Sequence, residues 1–360
     1  MQCPRCHRYL PEGYKFCPYD GSGTVDRVDS SRLRAEPTKI RGRVLAGRYR
    51  IRGFVGMGSM ARVYLAEDER SGTPVAVKVL EDPYRNDPSV RERFHREAKM
   101  ASLIGHSSIV RVFDEGEREE DGAPFLVMEF LVGETVGDYV RREGTMPVQI
   151  AIPALEQAAS ALGAAHRAGI IHRDVKPDNL FLLGEPGSPY ELKVVDFGLS
   201  KLPQSNLTAA GVVMGTPATM APEQILGEPI DGRADLYALG MVAYRMLAGR
   251  QPFEDADDEV ATLAHHVWTA PPPPSRFVEG IDPRLEQIVM TAIRKNPDDR
   301  FSTMEAMGEA LERLTEGGRT APDPLPDDKP YKTKTLVAQL VKASLGRAIE
   351  REEEEEEGET

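Results

Sequence analysis

Part-way along the chain the spacing of apolar residues changes its period. From Tyr49 the stretches YRIRGFV, ARVYLAE and PVAVKVL are short, alternating or continuously apolar, and bounded by polar turns, the pattern of antiparallel strands. Further on, AIPALEQAASALGAAHRAG and DLYALGMVAYRMLAG carry apolar residues at the three- and four-residue spacings of helices. The body from Tyr49 to about Leu314 is therefore expected to be α+β, a small strand-rich part followed by a larger helical one. No internal repeat is present, which removes solenoids and propellers.

The segments outside that body read differently. The first, 1–22, contains CPRCHRYLPEGYKFCPYDG, with Cys3, Cys6, Cys17 and Asp20 spaced C-x2-C-x10-C-x2-D. Two such knuckles facing each other are how a zinc ribbon presents four ligands to a tetrahedral ion, with Asp20 or, in competition, His7 as the fourth. A segment this short has too small a core to fold without a metal. Residues 23–45, rich in Ser, Gly, Arg and Asp, read as a linker before a main body at 46–314. A proline-rich linker follows at 315–335. Residues 336–351 place Leu336, Leu340, Val341, Leu345 and Ile349 on one side of a short amphipathic helix, and 352–360 form an acidic tail.

Charge and cysteine usage exclude several functions. A net charge of −13 opposes binding to nucleic-acid backbones, which need clustered Lys and Arg, so no nucleic-acid partner is expected. No signal peptide opens the chain and no apolar run approaches the ~18 residues of a membrane helix, so the expected setting is cytoplasmic, away from membranes. Three cysteines, all before residue 18, do not make a disulfide framework.

The chemistry-bearing residues lie in the main body. In GFVGMGSMARVY, Gly56 and Gly58 fall between two expected strands, where backbone N–H groups can approach phosphate oxygens closely. Lys78 interrupts the apolar strand VAVKVL, and a strand-centre ammonium demands a carboxylate, a phosphate or both. Glu97, on the following helix, is a suitable partner. Asp174 and Asn179 stand five apart in IHRDVKPDN, across a proline and hence on a loop, where an aspartate can take a hydroxyl proton and an amide oxygen can hold a metal. Asp196 ends the apolar strand of KVVDFG and has the chemistry of a Mg2+ ligand.

GMGSMARV, VAVK, Glu97, HRDVKPDN, DFG, APE and DLYALG stand in the order and at the intervals of the eukaryotic-like serine/threonine protein kinases, including their bacterial members, and the chain resembles that family from about Tyr49 to Leu314. The resemblance implies a two-lobed protein-kinase fold, here with a zinc-ribbon-like N-terminal appendage. It implies that Val55, Gly56, Met57 and Gly58, in a loop running to Ala61, cover ATP phosphates, and that Lys78 binds them while paired with Glu97. Asp174 would be the base, and Asn179 with Asp196 would hold Mg2+. Lys176 and Thr216 match the features that mark Ser/Thr specificity. Met128 falls at the gatekeeper position, Glu129 and Leu131 at the hinge, and Val63, Ala76 and Phe181 around the adenine ring. Glu223 would pair with Arg300, and Asp235 would brace the loop. Arg173 would gather a phosphorylated activation segment, with Thr208 favoured over Ser200 and Ser205 as the autophosphorylated residue.

The family's third glycine is Ala61 here, and its usual tyrosine before APE is Thr219. Neither change removes a phosphate, metal or proton-handling group. The expected activity is transfer of the γ-phosphate of Mg-ATP to protein Ser and Thr hydroxyls, with transient homodimers as a further expectation. The alternative, an ATP-binding pseudokinase scaffold acting through the ribbon and tail, is disfavoured because Lys78, Asp174, Asn179 and Asp196 are all intact.

Overall fold

The computed structural model describes residues 40–58, 60–82, 84–184, 190–197, 217–256, 258–315 and Tyr331. The cysteine knuckles with Cys3, Cys6, His7, Cys17 and Asp20, the activation-segment residues Ser200, Ser205, Thr208 and Thr216, the helix expected at 336–351 and the acidic tail lie outside them, as does the side chain of Glu97. The chain divides into two compact units, 1–134 with 181–199, and 135–180 with 200–360.

The first unit is built on the expected strands. β1 (Val44–Leu45), β2 (Tyr49–Met57), β3 (Ala61–Asp68), β4 (Thr73–Leu80), β5 (Val112–Glu117) and β6 (Pro124–Glu129) form one antiparallel sheet in the order β1-β2-β3-β4-β6-β5. Strand period two sorts its side chains. Val75, Val77 and Val79 join Tyr49, Ile51, Tyr64, Phe125 and Val127 in one buried cluster. On the other face Ala61, Leu80 and Leu126 meet Val90 and Phe94 of α1 (Pro88–Ile104). Each fully buried Val, Leu, Ile or Phe side chain among them contributes roughly 1.5–3 kcal/mol. Helix α1 starts where the Asp87 carboxylate accepts the Ser89 and Val90 N–H groups and Pro88 fills a position needing no donor, and it stops at Gly105. The folded part begins earlier than the spacing predicts, because Ile40 and Leu45, placed in the linker by composition, are buried in the first cluster. A three-stranded sheet follows, β7 (Gly133–Thr135), β8 (Leu180–Leu183) and β9 (Glu191–Val194), in that order.

The second unit is helical. Helix α2 (Val136–Glu143) opens on a reciprocal cap between Thr135 and Asp138. Helices α3 (Val148–Arg167), α4 (Pro222–Leu226), α5 (Gly232–Ala248), α6 (Glu259–Trp268), α7 (Pro283–Ala292) and α8 (Met304–Thr315) complete it. Helix α5 packs against α3 and α7, and α8 against α3. All but three of the 17 residues of α5 are buried, as befits a helix apolar on every side. Among the described residues no helix is long and apolar enough to cross a membrane.

Candidate active site

In the first unit, sheet register sets one row of the site. Lys78 lies directly across from Val63 on one side and Leu126 on the other, and the next row runs Leu65, Ala76, Met128. Directly opposed residues share a face, so Val63, Ala76, Lys78 and Met128 all stand on the α1 side of the sheet. Beside them β2 bulges twice. The second bulge leaves Val55 unpaired and returns Gly56 to register opposite Val63. The hairpin then closes tightly, the Gly58 N–H reaching the Ala61 carbonyl at 2.8 Å. Met57 is exposed at 65% and Val55 at 43%, so the loop's side chains leave one surface of its backbone open to a ligand.

Lys78 finds a carboxylate. Its Nζ lies 2.7 Å from Asp196 Oδ1, joining residues 118 apart in sequence, with the lysine side chain 6% accessible and the aspartate 37%. A buried ammonium without an anion would cost several kcal/mol, on the order of the penalty for any uncompensated buried charge. Asp196 follows β9 with φ +61°, a left-handed backbone rare for a non-glycine and typical of functional positions.

The hinge stretch is held by its neighbours. The Glu129 carboxylate accepts the Arg111 N–H at 2.7 Å and an N–H of Lys193 Nζ at 2.8 Å, while the Glu129 N–H donates to the Arg111 carbonyl. Four residues on, a Cβ on Gly133 would lie 1.9 Å from the Leu182 carbonyl oxygen and 3.0 Å from the Phe181 ring. The chain leaving the hinge can run against β8 only because that position is glycine. Leu131 and Phe181 are half-buried in the same unit.

In the second unit the loop 171–179 is a scaffolded turn. Asp174 Oδ2 accepts from Lys176 Nζ at 2.8 Å, and Asn179 Nδ2 donates to the Asp174 carbonyl at 2.8 Å and to its carboxylate at 3.3 Å. With its NH2 group turned toward Asp174, Asn179 offers its oxygen to a cation, the donor type that hard divalent ions take. The loop's shape is set from beneath by Asp235, which is fully buried on α5. One oxygen accepts the Arg173 N–H at 2.7 Å; the other accepts the His172 N–H and meets His166 Nε2, both at 2.8 Å. Arg173 itself has φ +65°, and its carbonyl accepts from Gln224 Nε2 at 3.1 Å. The strained turn persists because its backbone groups are held at both ends.

Residues 49–311 match the protein kinase domain family. The chain is a member of that family. It is 43% identical over 272 residues to the serine/threonine-protein kinase Pkn1 of Myxococcus xanthus, covering 75% of this chain and 38% of that protein. It is 40% identical over 277 residues to the serine/threonine-protein kinase PknB of Mycobacterium leprae, covering 76% and 44%. The chain thus spans roughly two fifths of the length of these curated relatives. The solved PknI kinase domain of Mycobacterium tuberculosis is similar over 77% of this chain and 98% of its own, at 29% identity and a TM-score of 0.60. The two units are the strand-rich N-lobe and the helical C-lobe of the kinase fold.

The C-lobe of this kinase carries a buried ion pair where the resemblance implies one. Arg300 Nη1 and Nη2 meet the two oxygens of Glu223 at 2.7 and 2.8 Å. The remaining donors reach the carbonyls of Arg294, Arg233 and Lys295 at 2.7, 2.8 and 2.8 Å. The guanidinium also lies 4.8 Å over the Tyr237 ring, whose hydroxyl meets His266 Nδ1 at 2.8 Å. Burial, with Lys295 nearby, holds the His266 imidazole neutral well below its ordinary pKa.

Several supporting residues escape a reading of the sequence alone: Gly133, Arg111 with Lys193 around Glu129, His166 against Asp235, and Gln224 against the Arg173 carbonyl. Each acts through a partner distant in the chain, and no local period marks it. A histidine six residues before HRD, on the buried side of a helix, is the one signal that could have pointed to His166.

Proposed function

We propose that this chain is a Mg2+- and ATP-dependent protein serine/threonine kinase. The observation that carries the reading is the loop in which the Asp174 carboxylate lies between the Lys176 ammonium and the Asn179 amide. A carboxylate so placed can accept the proton of a Ser or Thr hydroxyl as that oxygen attacks phosphorus. The adjacent ammonium can then stabilise negative charge developing on the transferred group. Lys78, held in the sheet beside Asp196, is positioned to bind the α and β phosphates, and the Gly56 to Ala61 hairpin to cover them with backbone N–H groups. Asn179 and Asp196 are suited to hold Mg2+, which when bound draws charge from the phosphates. Val63, Ala76 and Met128 offer adenine an apolar wall on one sheet face.

A scaffold reading is disfavoured because pseudokinases usually lose the lysine, the base or the metal aspartate, and Lys78, Asp174, Asn179 and Asp196 are all present. The test is transfer of labelled γ-phosphate from Mg-ATP to the protein itself and to a basic protein, in wild type and Asp174→Asn. Loss of the base is expected to lower transfer by roughly 10²–10⁴-fold while ATP binding persists. Equal transfer by the variant would refute the assignment.

Two finer readings belong with it. Thr208 is the residue this kinase phosphorylates in its own activation segment, as transiently paired copies; unchanged phosphate content in Thr208→Ala would rule it out. Cys3, Cys6 and Cys17, with Asp20 or His7, bind one zinc ion and form a protein-docking or metal-sensing module. Purified protein without stoichiometric zinc would remove that assignment.

A further inference from the structure

Tyr331 lies 16 residues past the end of α8 at Thr315, in a stretch that composition assigns to a linker. It is nevertheless held at three points on the C-lobe. Its backbone N–H donates to the Val267 carbonyl at 3.1 Å, and its hydroxyl donates to Glu228 Oε2 at 2.6 Å. Its ring packs with Trp268 against Met220, Ile225, Leu226, Leu263 and Val267. We propose that this groove between α4 and α6 is a docking site for an extended, tyrosine-bearing peptide, and that the chain's own segment at Tyr331 is its resident occupant.

The chemistry selects tyrosine. The groove is apolar along its walls and ends in a carboxylate, so phenylalanine would leave Glu228 without its donor and an aliphatic side chain would not reach it. Burial, and the Glu228 carboxylate beside it, push the Tyr331 hydroxyl well above its ordinary pKa, so it remains a donor at neutral and mildly alkaline pH. The Val267 carbonyl at the end of α6 lacks a helical partner by position and accepts the incoming backbone N–H, as in the addition of one strand residue to an open edge.

Receiver and occupant belong to different parts of the chain. Every residue lining the groove lies within 49–311, the part that matches the kinase family, whereas Tyr331 lies beyond it. The groove is therefore a feature of the kinase domain, and the tail is a separate ligand joined to it by a stretch with four prolines. A short tether gives such a ligand an effective concentration on the order of millimolar. Tyr331 thus covers a face that includes Met220, the residue before APE, and any partner using that face must displace it or present the same N–H and phenol.

The test uses the full-length chain and the labelled peptide DDKPYKTKT, residues 327–335. In Tyr331→Ala the groove is vacated, and the peptide is expected to bind at least about tenfold more tightly than to wild type, where the tethered tyrosine competes. A peptide with phenylalanine in place of the tyrosine binds several-fold more weakly, and Glu228→Gln weakens the tyrosine peptide to a similar degree. Trp268 is the chain's single tryptophan, so its emission shifts to the red in Tyr331→Ala and returns when the peptide is added. Equal peptide binding by wild type and Tyr331→Ala, or Trp268 emission indifferent to both the substitution and the peptide, would overturn the proposal. Neither readout depends on phosphate transfer.

Discussion

Replacing Arg300 with lysine keeps the charge and removes the fork. In the native protein all five guanidinium N–H groups have acceptors: two Glu223 oxygens and the carbonyls of Arg294, Arg233 and Lys295, at 2.7 to 2.8 Å. The Arg300 side chain is 0% accessible and that of Glu223 4%, so water cannot replace a missing partner. An ammonium has three donors, which leaves at least two of these five buried hydrogen bonds unmade. At about 1–3 kcal/mol for each, Arg300→Lys should destabilise the C-lobe by about 2–6 kcal/mol. That is a large fraction of the roughly 5–15 kcal/mol by which a domain is stable. Arg300→Met additionally strands the Glu223 charge and should lose about 3–5 kcal/mol for the ion pair alone. Pairing it with Glu223→Leu should recover the charge component but not the three carbonyls. Urea unfolding followed by far-ultraviolet circular dichroism measures all three variants. An Arg300→Lys unfolding free energy within about 0.5 kcal/mol of wild type would show that the carbonyl contacts do not stabilise the lobe, and would refute the donor-counting argument.

Other positions yield equally direct tests. Gly133→Ala puts a Cβ 1.9 Å from the Leu182 carbonyl, so β8 or the hinge must move; ATP affinity should fall by about tenfold or more, and unchanged nucleotide binding would count against a role in positioning the hinge. Asp235→Asn replaces a carboxylate that accepts three hydrogen bonds with a group that has one acceptor oxygen, so phosphate transfer should fall by at least about tenfold while ATP binding is retained, both read from steady-state kinetics. His266 is neutral in the folded protein, with a pKa depressed below the ordinary 6.5. Because the unfolded chain then binds the extra proton, stability should fall as pH drops below about 6.5, by up to about 1.4 kcal/mol per pH unit for this one residue. His266→Gln should flatten that part of the profile relative to wild type, and parallel profiles for the two proteins would exclude the histidine as the source.

What the sequence makes legible follows from range. Lys78 stands out because a charge inside VAVKVL violates the local pattern, and Asp174 with Asn179 because a proline forces them onto one loop. The sheet face that carries Val63, Ala76, Lys78 and Met128 follows from strand alternation once the strands are placed. Among the described residues a carboxylate that meets Lys78 is that of Asp196, 118 residues away, and no spacing rule links those two positions. Gly133 reads as an ordinary turn residue until the Leu182 carbonyl is placed beside it. Ile40 and Tyr331 are hidden for the opposite reason: each is a single apolar side chain in a polar or proline-rich stretch, too isolated to create a period, yet each completes a cluster formed by residues elsewhere.

The left-handed backbone at Arg173 and Asp196, φ +65° and +61°, meets selection for stability differently at the two positions. Each conformation costs a side-chain-bearing residue about 1–2 kcal/mol that glycine would not incur. A mutant library sorted only on resistance to heat or protease should therefore enrich glycine at 173, whereas at 196 the relief is outweighed by the loss of the anion that buried Lys78 needs. The same library sorted on phosphate transfer should keep aspartate at 196, because the carboxylate leaves with its side chain. Sequencing both sorted pools would separate the two positions, 173 tolerating glycine in the stability pool and 196 retaining aspartate in both.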